Sequence, residues 1–176
     1  MENRRDDLIS FSLNILLHGK DDKFDQIFLQ ALREQGFGYR FASDVVQDNF
    51  GEVNFFVTNI SDGNFCPDVV VLKDNSHKFE ANFACDGVYL FYNSACIADV
   101  NINTKVIPIS CGFDERDDVF VSSIKKHKIS LAIQRRLKKP GGGFLDSEEI
   151  CVNTDCDVSD NVYPYICGKI VGMLMQ

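Results

Sequence analysis

Tryptophan is absent from this chain, and positive charge is in deficit. Eighteen Lys and Arg face 26 Asp and Glu, giving a formal net charge of -8. With a pI near 4.8, the chain as a whole is repelled by nucleic-acid phosphates and anionic membrane surfaces unless its basic residues cluster. A long hydrophobic run is also missing. The most apolar stretch near the start, Leu8 to Leu17, is interrupted by Ser10, Ser12 and Asn14. It is too short and too polar to span a bilayer, and no small-residue cleavage site follows it, so neither an export signal nor a membrane anchor is expected. A phosphate-binding glycine loop is missing too. Gly141-Gly142-Gly143 lacks a following Lys-Ser/Thr and follows no expected strand. There is no internal repeat and no low-complexity tract.

What is present suits one globular domain over residues 1–176. Hydrophobic residues make up 45% and charged residues 25%, enough to bury a core and stay soluble. Fifteen Phe supply an aromatic-rich interior. Seven cysteines, an odd number, in a chain without an export signal lead to the expectation of free, reduced thiols and a cytoplasmic location.

Along the chain, Asp6 to His18 reads as a helix stopped by Gly19. Asp21 or Asp22 caps a second helix, with Phe24, Ile27, Phe28, Ala31 and Leu32 on one stripe. A meander of strands follows between Val53 and Tyr92. Its turn signals are Asp62-Gly63-Asn64, Asp74-Asn75-Ser76 and, strongest, Asp86-Gly87. Val69 to Leu72 is apolar at successive positions, which marks a central strand buried on both faces. Pro108 in the run Val106 to Cys111 points to an edge or a bulge. The stretch Val119 to Lys139 fits either one helix or a strand followed by a helix from Ile129. Residues 140–161 read as a mobile loop, and Val162 to Met175 as a return to the core in a strand or short helix. The expected fold is therefore α+β: a mainly antiparallel sheet of five or six strands, two N-terminal helices and one later helix.

One motif lies inside the meander: Pro67-Asp68, then Glu80-Ala81-Asn82. Residues two apart on a strand share a face, so Glu80 and Asn82 join one cleft with Asp68 if their strands pair. The pattern resembles the core of the PD-(D/E)xK nucleases. That resemblance implies a divalent metal, Mg²⁺, held by Asp68 and Glu80, with Asn82 standing where that family has a lysine. Lys78 projects from the same face as Glu80 and Asn82.

Charge is arranged in blocks. Lys125, Lys126, Lys128, Arg135 and Arg136 belong to a run free of acids, able to meet a phosphate backbone or to lie as a solvated face. Acids bracket it: Asp114, Glu115, Asp117 and Asp118 before, Asp146, Glu148 and Glu149 after. Cys151, Cys156 and Cys167 are spaced too widely for a standard zinc site, and no histidine is near them in sequence. The functional expectation is a non-enzymatic acidic binding protein, of inhibitor or immunity type. Its acidic blocks would meet a basic partner such as a toxin nuclease domain, without a cofactor. The alternative is a Mg²⁺-dependent nuclease, or a nucleic-acid binder derived from one, built on Asp68, Glu80 and Asn82.

Overall fold

The strand Leu13–His18 (β1) lies inside a nine-stranded sheet, third from one edge. The computed structural model describes residues 13–42, 53–59, 65–73, 79–81, 85–95, 100–102, 106–154 and 161–176. β1 pairs in parallel on one side with Val53–Thr58 (β3) and on the other with Val69–Leu72 (β4). Its run of apolar residues is explained by two buried faces. Leu13, Ile15 and Leu17 meet the helical layer, while Leu16 packs on the opposite face with Val70, Leu72, Val88 and Leu90. A strand covered on both sides needs no polar alternation.

From β1 the chain enters the helix Asp22–Arg33 (α1) and emerges at the edge strand Gly38–Ala42 (β2). β3 then inserts between β2 and β1, and β4 crosses to the far side of β1. Tyr89–Asn93 (β6) and Ile107–Gly112 (β8) extend the sheet in parallel beyond β4. Phe79–Ala81 (β5) and Val100–Ile102 (β7) form a separate parallel pair. Val119–Lys125 (β9) adds to β8 in parallel, and Lys128–Ile133 (β10) and Glu149–Asn153 (β13) close the order as antiparallel neighbours. Between them, Leu137–Lys138 (β11) and Phe144–Leu145 (β12) form a small antiparallel ribbon. The C-terminal helix Val162–Met175 (α2) packs on α1, in the same core as Leu13, Ile15 and Leu17.

The expected α+β fold with a mainly antiparallel sheet of five or six strands is thus overturned. The architecture is α/β, and antiparallel pairing in the main sheet is confined to β9, β10 and β13. The described part of the first expected helix is β1. The later helix is α2, whereas the segment from Ile129 forms β10 with Ile129, Leu131 and Ile133 buried in alternation. Asp86-Gly87 does lie at a bend, with Gly87 at φ 80°. It leads into β6, however, which runs parallel to β4 and makes no hairpin with it. The turns at 62–64 and 74–76 lie outside the described residues. Two short strands, β12 and β13, fall within the span 140–161 that was read as a loop.

Pro108 illustrates how the sheet tolerates a missing N–H. It sits opposite Leu90 of β6, but β9 pairs with β8 only from Cys111 onward. The flank of β8 facing β9 is therefore open at Pro108, whose carbonyl accepts from Arg135 Nη2.

Candidate functional site

In open parallel sheets, ligands collect at the carboxyl ends of strands where the chain changes direction across the sheet. Here that point lies between β1 and β4. His18 and Gly19 leave β1, with Gly19 at φ 115°, a left-handed conformation that suits glycine. Asp21 is extended and caps α1, its Oδ1 accepting from Phe24 N at 3.0 Å. Lys73 follows β4 and is tied to β1 by its backbone, Lys73 N donating to His18 O at 3.0 Å.

The side chain of Lys73 turns inward. Its Nζ lies 2.6 Å from Asp25 Oδ1, and the two side chains are 0% and 5% exposed. The contact is charge against charge, because neither atom has a hydrogen-bond partner of good geometry. The Phe24 ring centroid lies 5.9 Å from Lys73 Nζ, and Tyr163 of α2 packs edge-on against Phe24 at 5.6 Å. Tyr163 OH donates to Leu72 O at 2.7 Å, so α2 seals the crevice from the side. Burial pushes the Asp25 carboxyl above its ordinary range, while Lys73 and a hydrogen bond from Asn59 pull it back. Burial, aided by the Lys73 charge, holds the His18 imidazole below its usual value.

A helix N-terminus of this kind offers backbone N–H groups and a positive dipole end to an anion. In this chain Asp21, Asp22 and Asp25 already stand there, and the cation that β4 delivers is neutralised by Asp25. Lys73 and Asp25 thus bury their charges against each other beside the N-terminus of α1. Among the described residues no group of three His, Cys, Asp or Glu side chains is placed to hold a metal ion.

The residues singled out in the sequence are dispersed. Asp68 precedes β4, and its Oδ2 accepts from Asn14 N at 2.8 Å while its own N–H donates to Asn14 O at 2.8 Å. Its carboxylate therefore extends the pairing of β4 onto β1. Glu80 lies in β5, whose described pairing is to β7 and not to the strand that Asp68 opens. Asn82 lies outside the described residues, as does Lys78.

Of the acids, Asp117 is buried and accepts from Asp114 N at 3.2 Å. Asp118 Oδ2 accepts from Ser110 N at 3.0 Å, and its Oδ1 meets Arg135 Nε at 2.5 Å. These two hold an unusually short link, six residues from Phe113 to Asp118, between parallel β8 and β9, where a dozen or more is typical. Asp114 and Glu115 stay exposed at the carboxyl edge of the sheet. Asp146 pairs with Arg136 at 2.8 Å, Glu149 Oε1 accepts from Ser122 Oγ at 2.8 Å, and Glu148 is exposed.

The basic run divides in two. Arg135 and Arg136 pair with acids, whereas Lys125, Lys126 and Lys128 crown the β9–β10 hairpin around His127, which has φ 61°. Cys151 is exposed on β13, Cys167 is buried in α2, and Cys156 is not among the described residues. Cys66 and Cys85 form a disulfide, which corrects the expectation of free thiols throughout. The Asp25–Lys73 pair escaped the sequence reading because its members are far apart in the chain. Its one local signal was the capping Asp21 before an apolar stripe.

These features define an open, mostly parallel α/β sheet with a buried Lys73–Asp25 pair beside its switch point. The chain resembles the crystal structure of a murein peptide ligase, mpl, from Psychrobacter arcticus 273-4, with a TM-score of 0.52 at 8% identity. The match covers 93% of this chain and 44% of that one, so this chain spans less than half of that structure's length. At this identity the likeness concerns the fold alone. No family model matches the chain, and no curated protein matches it.

Proposed function

We propose that this chain is a non-enzymatic acidic binding protein, of inhibitor or immunity type, that neutralises a basic protein partner such as a toxin nuclease domain. The observation that carries the reading is the Asp25–Lys73 pair, which closes the place where this fold class ordinarily receives a ligand. The surface that this reading uses for recognition is the acidic edge of the sheet, where Asp114 and Glu115 face solvent. A net charge of -8 favours fast encounter with a cationic partner and rejects anionic ones. The cytoplasm is the proposed location. No helix among the described residues is long and apolar enough to cross a membrane.

Two measurements test the reading. Affinity capture from the native host should recover a basic protein at low ionic strength and lose it at high salt. Calorimetric titration with a nucleoside triphosphate and Mg²⁺ should give no heat of binding. Saturable nucleotide binding would overturn the proposal. The alternative built on Asp68, Glu80 and Asn82 is tested by incubating the chain with DNA and RNA in Mg²⁺. Cleavage abolished by Asp68→Ala would establish it, although Asp68 Oδ2 is already engaged by the Asn14 backbone.

A further inference from the structure

Among the described residues Phe113 is 64% exposed, more than the other large exposed hydrophobic residues, Ile124 and Phe144. Phe144 is covered on one face by the Arg136 guanidinium, 3.9 Å from its ring centroid. Phe113 stands at the carboxyl edge of the sheet, immediately after β8. Asp114 and Glu115 follow it into solvent.

The loop that carries Phe113 is held from several sides. Asp117 N donates to Asp114 O at 2.9 Å, and Asp114 Oδ1 accepts from Arg116 N at 2.9 Å. Asp117 packs so closely behind Gly112 that a Cβ there would stand 2.6 Å from Asp117 Oδ2. At the base, Asp118 N donates to Ser110 Oγ at 2.9 Å, and Arg135 clamps Asp118 and Pro108. A loop ordered before binding loses little entropy on docking, and an exposed aromatic on it is the usual form of an interface anchor.

We propose that the Phe113–Arg116 loop is the recognition element of this protein, seating Phe113 in an apolar pocket on a basic protein surface. The proposal rests on the binding-protein reading above and names the part of the surface that performs it. Charge selects the partner. Two exposed carboxylates, Asp114 and Glu115, follow Phe113 directly, while Asp117 is buried and Asp118 is paired with Arg135. A cationic rim around an apolar socket fits that pattern, and an anionic partner is repelled.

The test uses two synthetic probes, a Lys–Leu amphipathic peptide and a Lys–Gly peptide of equal charge, titrated by fluorescence anisotropy at low salt. The Lys–Leu peptide should bind the intact chain more tightly. Phe113→Ser should weaken that binding about tenfold or more and leave the Lys–Gly peptide unchanged, and Phe113→Leu should restore much of the loss. Asp114→Asn with Glu115→Gln should weaken both. Equal affinity of the intact chain and Phe113→Ser for the Lys–Leu peptide overturns the role of Phe113 alone. Failure of both peptides to bind the intact chain overturns the binding-protein reading along with it. Phe113 is exposed, so its variants fold, which circular dichroism verifies.

Discussion

Lys73 Nζ and Asp25 Oδ1 meet at 2.6 Å with both side chains shut away from water, at the one point in the sheet where a ligand would be expected. Removing one partner strands the other as a lone buried charge. Lys73→Met and Asp25→Leu should each lower unfolding free energy by about 3–5 kcal/mol, and the double variant should recover most of that. Urea denaturation of the four proteins measures the cycle. A single variant within about 1 kcal/mol of the parent would show that the pair is not a buried charge couple.

Burial around the same pair gives a pH dependence with opposite signs at two groups. The Asp25 carboxyl is raised above 3.8. Between that value and its folded value, the folded chain keeps a proton that the unfolded chain has released. Its contribution to stability therefore falls as pH climbs through this window. The His18 imidazole is held below 6.5. Below 6.5 the unfolded chain takes up a proton that the folded chain resists, so stability is lost as pH falls through that value. His18→Gln should flatten the change around pH 6.5, and Asp25→Asn the acidic one, in thermal melts across the range.

Two glycines in α2 should respond differently to alanine. A Cβ at Gly168 would stand 2.6 Å from Phe28 O and 2.7 Å from Ala31 Cβ. Both belong to α1, so the helices must separate, and Gly168→Ala should cost about 1–3 kcal/mol. At Gly172 the obstacle is the flexible end of Gln35, whose side-chain amide crowds the place a Cβ would take. Gln35 can swing aside, losing its hydrogen bonds to Ala31 O and Gly168 O. Helix propensity returns up to about 1 kcal/mol, so Gly172→Ala should be close to neutral. Equal losses at both sites would contradict this contrast.

Asp68 extends the β1–β4 pairing, so its substitution should be felt in stability. Asp68→Ala removes the acceptor for Asn14 N and should cost about 1–3 kcal/mol by chemical denaturation. An unchanged midpoint would remove this structural role.

Thiol counting tests the Cys66–Cys85 link. The chain has seven cysteines. Alkylation of the unfolded, unreduced protein should label at most five of them if the disulfide is intact, and all seven after reduction. Trapping inside living cells by rapid alkylation would also bear on the cytoplasmic location, since disulfides are rare there.

How far the chain could be read in advance depended on burial. α1 was legible because one face is buried and the other wet, leaving Phe24, Phe28, Ala31 and Leu32 at helical spacing. Val69–Leu72 was legible as a doubly buried strand. The same physics hid β1, whose unbroken Ile15-Leu16-Leu17 run fits a buried strand and a buried helix equally well. α2 was left open for a related reason, because it is apolar nearly all round and shows no helical stripe. Parallel pairing joins residues far apart in sequence and leaves no turn signature, so a chain of short strands read as a meander. Asp25 and Lys73 belong to that invisible class. Each looks like an ordinary surface charge until α1 and β4 are brought together.

The interior position of β1, flanked by strands made much later, has a consequence for synthesis. Asn14 bonds to Asp68, 54 residues later in the chain. At about 5–20 residues per second, a ribosome takes roughly 3–11 s to deliver that partner. β3, the partner for one edge, is made shortly before, but over that whole interval the edge of Leu13, Ile15, Leu16 and Leu17 that β4 will cover stays unpaired. A nascent chain of this topology is therefore a natural client for holding chaperones, and its yield should depend on translation speed between β1 and β4 more than on the stability of the finished sheet.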